Sequence, residues 1–201
     1  MLDVGLTGGL ATGKSVVGKE LEALGCYVIR MDDLGHQVLR PEGEAYAAVV
    51  AEFGPGILSP DGSIDRRALG ELAFADPARL KRLNELTHPA IRARAKVLRD
   101  AYAAENPGGI VVREAAILIE SGGHKECDRL VLAHCRAEQQ VERAMQRDSL
   151  TNEEVTNRIS RQMPLEDKKK YANCVIDTSQ TIEHTLAQTR ALHQVLKSLS
   201  H

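Results

Sequence analysis

The sequence predicts an α/β protein built on a doubly wound, five-stranded parallel sheet, with a helical insert and a helical lid. Three observations carry that prediction. Short apolar, strand-like runs alternate with helical stretches at both ends of the chain. Between them, from Glu44 to about Asn106, the pattern is helical and no strand-like run of length occurs. Lastly, Gly8-Gly9-Leu10-Ala11-Thr12-Gly13-Lys14-Ser15 fits G-x-x-x-x-G-K-[ST] at every fixed position, with a strand before it and a helix after it.

Leu2, Val4 and Leu6 form the first strand, ending at Thr7. Residues 15–24 carry apolar side chains at helical spacing and stop at Gly25, a residue suited to the left-handed turn that closes a helix. Residues 26–29 are a second strand, running out into Arg30-Met31-Asp32-Asp33, and a helix over 34–39 is closed by Pro41 and Gly43. The helical stretch then opens with 44–53, ended by Gly54-Pro55-Gly56. Ser59-Pro60-Asp61-Gly62 reads as a turn by its residue chemistry. Asp65 caps a helix over 66–74, Asp76-Pro77 opens another over 78–86, and Pro89 starts a long amphipathic helix to about Glu105. Strands at 110–112, 130–133 and 174–176 resume the sheet. Helices at 138–147 and 152–161 separate the last two, the second with a Thr151/Glu154 capping box. In the final helix, 181–199, Ile182, Leu186, Leu192, Val195 and Leu196 are spaced for one apolar stripe.

Length and composition bound the rest. With 201 residues, 43% of them hydrophobic, the chain suits one domain over 1–201 with a real core. A net charge of −2 points to neither nucleic acid nor an anionic membrane. No run is long and apolar enough to span a bilayer, and the N-terminus enters a core strand at once, so neither a membrane segment nor a signal peptide is expected. Cys26, Cys127, Cys135 and Cys174 form no C-x-x-C pair; they read as reduced thiols and place the chain in the cytoplasm.

The chemistry begins at the glycine loop. A strand, a loop of this kind and a helix N-terminus aim backbone N–H groups and the helix dipole at an anion. Lys14 suits the β and γ phosphates of a nucleotide, and the Ser15 hydroxyl suits Mg²⁺. A match of this kind arises by accident in roughly one chain in a hundred of this size. Asp32, just past the second strand at the same edge of the sheet, can take a proton from an acceptor hydroxyl or hold a water on Mg²⁺, while Asp33 reads as a cap for the helix at Leu34. Arg143 and Arg147 are four apart on one helix, and Arg158, Arg161 and Lys168-Lys169-Lys170 follow. Singly the arginines are surface charges; as a set these residues suit a mobile lid over a transferring phosphoryl group. His36 lies one turn past Asp32. His88 is either a ligand contact or a turn residue. Glu114 either supports the metal through water or is a half-exposed strand-end charge. Arg30 is either a solvated charge or reaches toward an anionic part of the acceptor.

Together these residues resemble the dephospho-CoA kinases, nearly end to end. Gly5-Leu6-Thr7-Gly8-Gly9-Leu10-Ala11-Thr12-Gly13-Lys14-Ser15 is similar to that family's opening G-L-T-G-G-I-G-S-G-K-S, and Met31–Leu39 to its D-A-D-x-I-x-H-x-L stretch. Residues 62–69 and 83–91 match its G-x-x-x-R-R-A-L and L-N-x-I-x-H-P-x-I motifs. Gln139, Arg143, Arg147-Asp148 and Arg161-Gln162-Met163-Pro164 match its lid, and Val175-Ile176-Asp177 its V-I-D-N close. Two positions depart: Arg30 stands for the first Asp of D-A-D, and Ala115-Ala116-Ile117-Leu118-Ile119-Glu120 lacks the proline of V-P-L-L-F-E.

The resemblance implies a P-loop fold like that of the nucleoside monophosphate kinases. The reaction it implies is transfer of the ATP γ-phosphoryl group, with Mg²⁺, to the ribose 3′-hydroxyl of dephospho-CoA, the last step of CoA biosynthesis. Gly8, Gly9, Ala11, Thr12, Gly13, Lys14, Ser15, Val16 and Arg143 would hold ATP, and Ser15 the metal. Thr7, Asp32, His36, Arg67, His88 and Ile117 would meet the acceptor, with Asp32, Lys14 and Arg147 catalytic. Residues 36–105 would be the CoA-side insert and 138–170 the lid, in a monomer or weak homo-oligomer. Two alternatives stay open: another small-molecule or nucleoside kinase on this core, and a nucleotide-binding switch, which needs neither Asp32 nor a basic lid.

Overall fold

The computed structural model describes residues 1–200. Strands β1 (Leu2–Gly8), β2 (Tyr27–Arg30), β3 (Ile110–Glu114), β4 (Arg129–His134) and β5 (Cys174–Asp177) form one sheet, parallel throughout, in the order β2-β3-β1-β4-β5. β1 is central, with Leu2 opposite Ile110 of β3 and Gly8 opposite Ala133 of β4. The chain leaves β1 toward the β3–β2 side and leaves β3 toward the β4–β5 side, so the carboxyl end of β1 opens where strand order reverses, the place where such sheets bind ligands.

Period-two alternation sends Leu2, Val4 and Leu6, Val28, Ile110 and Val112, Val131 and Ala133, and Ile176 to one face. There they bury Val17 and Leu21 of α1 (Lys14–Ala23) and Leu192 and Leu196 of α9 (Ile182–Leu199). On the other face Arg113 is buried. Its Nε donates to Asp3 Oδ1 at 2.9 Å and its Nη1 to Glu126 Oε2 at 2.8 Å, which supplies the charge a buried guanidinium needs. After β4 come α6 (Ala137–Asp148), α7 (Asn152–Ile159) and α8 (Leu165–Lys169).

These elements belong to a first compact unit, made of Met1–Arg30 and the chain from Arg99 onward; Met31–Leu98 is a second. The second holds α2 (Met31–Val38), α3 (Tyr46–Phe53), α4 (Arg66–Phe74) and most of α5 (Pro77–Glu105). Its core is Val38, Ala45, Val49, Ile57, Ile64 and Leu69. Asp65 caps α4 as expected, its Oδ1 accepting from the backbone N–H of Arg67 and Ala68 at 2.9 and 3.2 Å. The turn at 59–62 closes through Gly62 N–H to the Ser59 carbonyl, between the bridged residues Leu58 and Ile64.

Four expectations are corrected. α2 starts at Met31 rather than Leu34, so Asp33 lies in its first turn with Asp32 and does not cap it; carboxylates there complement the helix dipole. α5 runs unbroken through Pro89. Leu83 and Leu86 before the proline and Ala90 and Ile91 after it pack on the same core, and that burial outweighs the backbone hydrogen bond Pro89 cannot donate. The inward stripe of α9 is Thr185, Thr189, Leu192 and Leu196, with Val195 outside and Ile182 62% exposed. The two threonines enter because each hydroxyl donates to the carbonyl four residues back, leaving its methyl to pack. Finally, α8 is a helix where only a polar segment was expected.

Candidate active site

β1 delivers the chain into the glycine loop at Gly8, and α1 begins at Lys14. Gly13 is the N-terminal cap residue, at φ 81° and ψ 8°, a left-handed conformation that side chains disfavour. Ala11 is left-handed too, at φ 55°, at the position where the family's opening motif has glycine. The loop is braced from within and from β5. Thr12 Oγ1 donates to the Gly9 carbonyl at 3.1 Å, and Thr178, just past β5, donates to the Thr12 carbonyl at 2.7 Å.

The charged groups of the loop are all engaged. Lys14 Nζ lies 2.7 Å from Glu114 Oε1, and Ser15 Oγ donates to the same oxygen at 3.0 Å. Glu114 ends β3 and is 4% exposed, so the half-exposed strand-end reading is wrong. Glycine at position 18 is what admits it: a Cβ there would stand 2.6 Å from Glu114 Oε2. That second oxygen is buried and accepts no hydrogen bond among the described residues; Arg30 Nε lies 3.9 Å from it. Arg30 is thus an ion-paired strand-end residue rather than a solvated charge. Its Nη2 also lies 2.6 Å from Glu22 Oε2 on α1.

Side chains from the segment between β4 and β5 pack against the loop. Gln162 Oε1 accepts from the Leu10 N–H at 2.9 Å, and the Gln140 amide lies against Gly9. Lys168, grouped with Lys169 and Lys170 in the basic set, is 0% exposed. Its ammonium donates to the Ala116 carbonyl at 2.5 Å, pairs with Glu120 at 3.0 Å and reaches the Gly8 carbonyl at 3.5 Å. Burial pulls its pKa below the ordinary lysine value, against the pull of Glu120. Glu120 also accepts from the Met163 N–H at 2.9 Å, so one carboxylate and one lysine tie α8 to the loop.

Arg143 and Arg147 differ in setting. Arg143 Nη2 donates to the Thr178 carbonyl at 2.7 Å, on the same residue whose hydroxyl braces the loop. Arg147 is 58% exposed and grips Asp148 through Nε and Nη2, at 2.8 and 2.9 Å. Thr7 is fully buried, its hydroxyl donating to the Ala116 carbonyl, and Ile117, the residue after Ala116, is half-buried.

In the second unit, Asp32, Asp33 and His36 are exposed on α2. Partial burial and the charge of Arg66 hold the His36 imidazole below its usual pKa, against the two carboxylates. Arg66 thus stands on the His36 side, while Arg67, the residue expected there, is 89% exposed and pairs with Glu71 at 3.0 Å. His88 is half-buried, and its pKa is lowered by burial and then by Arg92. Sequence reasoning missed Gln140, Thr178 and Arg66, and took Lys168 only as one member of a basic set. Gln162 stood in a family motif without a role.

The oxygen set fits a hard divalent cation: Ser15 Oγ and Glu114 Oε1 are 3.0 Å apart, and Glu114 Oε2 has no hydrogen-bond donor. Among the described residues no three His, Cys, Asp or Glu side chains form a metal cage. All four cysteines carry free thiols, and no described helix is long and apolar enough to cross a membrane.

The sequence pattern that defines the dephospho-CoA kinases matches residues 2–184. A dephospho-CoA kinase of Geobacter sulfurreducens is 44% identical over 180 residues, 90% of this chain and 91% of that one. Among solved structures, a Thermus thermophilus protein superposes with a TM-score of 0.80 at 32% identity, covering 98% of this chain and 97% of its own. A dephospho-CoA kinase from Campylobacter jejuni gives 0.71 at 25% identity, covering 99% and 98%. With residues 2–184 matching the family and these proteins covered over nine-tenths or more of their length, the chain belongs to the dephospho-CoA kinase family.

Proposed function

We propose that the chain transfers the γ-phosphoryl group of ATP to the ribose 3′-hydroxyl of dephospho-CoA, giving CoA and ADP, with Asp32 as the base and Lys14 and Arg147 as the charges on the moving group. The observation that carries this reading is a loaded phosphate loop: Lys14 and Ser15 held 2.7 and 3.0 Å from one carboxylate at the start of α1. Lys14 exchanges Glu114 for the β and γ phosphates, and the amides of Gly9, Ala11, Thr12, Gly13, Lys14, Ser15 and Val16 surround them. Ser15, with Glu114 behind it, would hold Mg²⁺, which when bound neutralises charge on the β and γ oxygens.

Asp32 follows the last residue of β2 by two positions, at the carboxyl end of a sheet strand. It takes the proton of the 3′-hydroxyl as that oxygen bonds to the γ-phosphorus. The bond from that phosphorus to the β-bridging oxygen breaks, and ADP carries the electron pair away. Arg143, anchored at Thr178, and Arg147, turned from Asp148, meet the equatorial oxygens. His36, Arg67 and His88 hold the anionic part of the acceptor, with Thr7 and Ile117 as wall. The four free thiols support a reducing compartment, the cytoplasm.

A coupled ADP-release assay with Mg²⁺-ATP tests the acceptor. Dephospho-CoA should support turnover, and adenosine, shikimate and gluconate should not. Comparable turnover on any of those three would replace the reading with another small-molecule kinase.

A further inference from the structure

Arg30 occupies a place that the reaction above does not use. Register puts it directly opposite Glu114, the two being partners of the β2–β3 pairing. Its guanidinium is anchored by Glu22 on α1, with Nη1 to Oε1 at 3.3 Å and Nη2 to Oε2 at 2.6 Å, and its Nε faces the Glu114 oxygen that has no hydrogen bond. Glu114 therefore sits between two cations, Lys14 on one oxygen and Arg30 on the other.

The two cations are not equivalent. Resting on the proposed function, Lys14 must leave Glu114 when a nucleotide arrives. A carboxylate this buried is costly to leave unpaired, and more so beside a polyanion. A lysine that is the sole partner of a buried acid is correspondingly hard to draw away. We propose that Arg30 is the standing counter-charge of Glu114: a positioning residue that keeps the carboxylate compensated while Lys14 moves to the phosphates, and so lowers the cost of ATP entry. Glu22 holds the guanidinium where it is needed, because α1, which carries Glu22, also carries Lys14 and Ser15. Arginine suits this role because its charge is permanent and its fork serves Glu22 while Nε is directed at Glu114.

The test is a double-mutant cycle on ATP binding, read by calorimetry in EDTA so that neither metal nor turnover enters. Arg30→Gln should weaken ATP binding about tenfold, within the range of coupling between contacting residues. Arg30→Lys should restore most of it. In a Glu114→Gln background, where no charge is left to compensate, Arg30→Gln should change ATP affinity less than about twofold. In turnover, Arg30→Gln should raise KM for ATP and leave KM for dephospho-CoA unchanged. If Arg30→Gln does not fold, Glu22→Gln, which loosens the anchor, should show a smaller loss with the same dependence on Glu114. A loss of equal size in both backgrounds, or none in either, overturns the proposal. ATP failing to bind the unaltered chain would take down the phosphate-loop reading as well.

Discussion

The two compact units present their functional side chains in opposite ways. At the phosphate loop several strong groups already have partners: Lys14 and Ser15 on Glu114, the Leu10 amide on Gln162, the Thr12 carbonyl on Thr178. In the Met31–Leu98 unit, Asp32, His36 and Arg67 stand exposed, and Arg67 is held only by a surface pair with Glu71. The first arrangement is a site whose internal partners imitate its ligand, a carboxylate for a phosphate and an amide oxygen for a phosphate oxygen. Binding there is an exchange of partners, and what is gained is the difference between them. The second is a set of groups in water, where a ligand must supply the desolvation and the order. Changes at the loop should therefore be costly and act on stability as well as rate, whereas changes in the second unit should act mainly on the acceptor.

Lys14→Ala should have the largest effect. It removes a transition-state charge, worth about 3 kcal/mol or more in the barrier, and it leaves buried Glu114 with Arg30 and the Ser15 hydroxyl. Turnover on ATP and dephospho-CoA should fall at least a hundredfold by that figure. Near-normal kcat would remove the loop from the mechanism.

Lys168→Met comes next. It leaves the carbonyls of Ala116 and Gly8 without their ammonium and Glu120 without its cation. Glu120 keeps the Met163 amide, so the loss should be about 2 kcal/mol, below that of a wholly stranded pair. Chemical denaturation measures it, and an unchanged midpoint would mean that Lys168 braces nothing.

Ala11→Gly works the other way. Relieving a left-handed alanine should stabilise the chain by about 0.5–1 kcal/mol, or a few degrees at most in Tm. A lower Tm would show that the loop is not held in that conformation.

The smallest effect belongs to the second unit. The His88 pKa is lowered in the folded state, so the folded chain prefers the neutral ring more than the unfolded chain does. The stability this contributes is present above the ordinary imidazole value of 6.5 and is lost as pH falls below it toward the folded value. Thermal unfolding should show a shallow loss of Tm on acidification that His88→Gln flattens. An identical acid slope in the variant would assign the loss to other groups.

The contrast between the units also explains what could be read from sequence. Strands β1, β3 and β4 were legible because their core residues alternate, and the loop because its residues are contiguous. Asp65 was legible as a cap because its hydrogen bonds are local. Lys168 was not: Lys169 and Lys170 pair with Glu166 and Asp167 three residues back, and only their neighbour faces inward, a fact set by packing against residues 8, 116 and 120. Nor was the pairing of Arg30 with Glu114, which lies in the register of two strands about eighty residues apart in the chain. Pro89 and the threonines of α9 misled for one reason: local propensity was read where burial on a shared core decides.

In the proposed mechanism the exposed carboxylate after β2 does the chemistry while the loop holds the nucleotide by itself. The direct measurement sets Asp32→Asn and Asp33→Asn side by side, recording kcat with dephospho-CoA and ATP affinity for each. Both residues are exposed in the first turn of α2, and asparagine keeps the shape of either. Asp32→Asn should lower kcat by about a hundredfold or more, the usual span for a lost general base, with ATP binding unchanged. Asp33→Asn should be nearly silent in both. Equal silence at the two positions, with ATP still bound, would contradict the mechanism, and a crippled Asp33→Asn beside a normal Asp32→Asn would move the base by one residue.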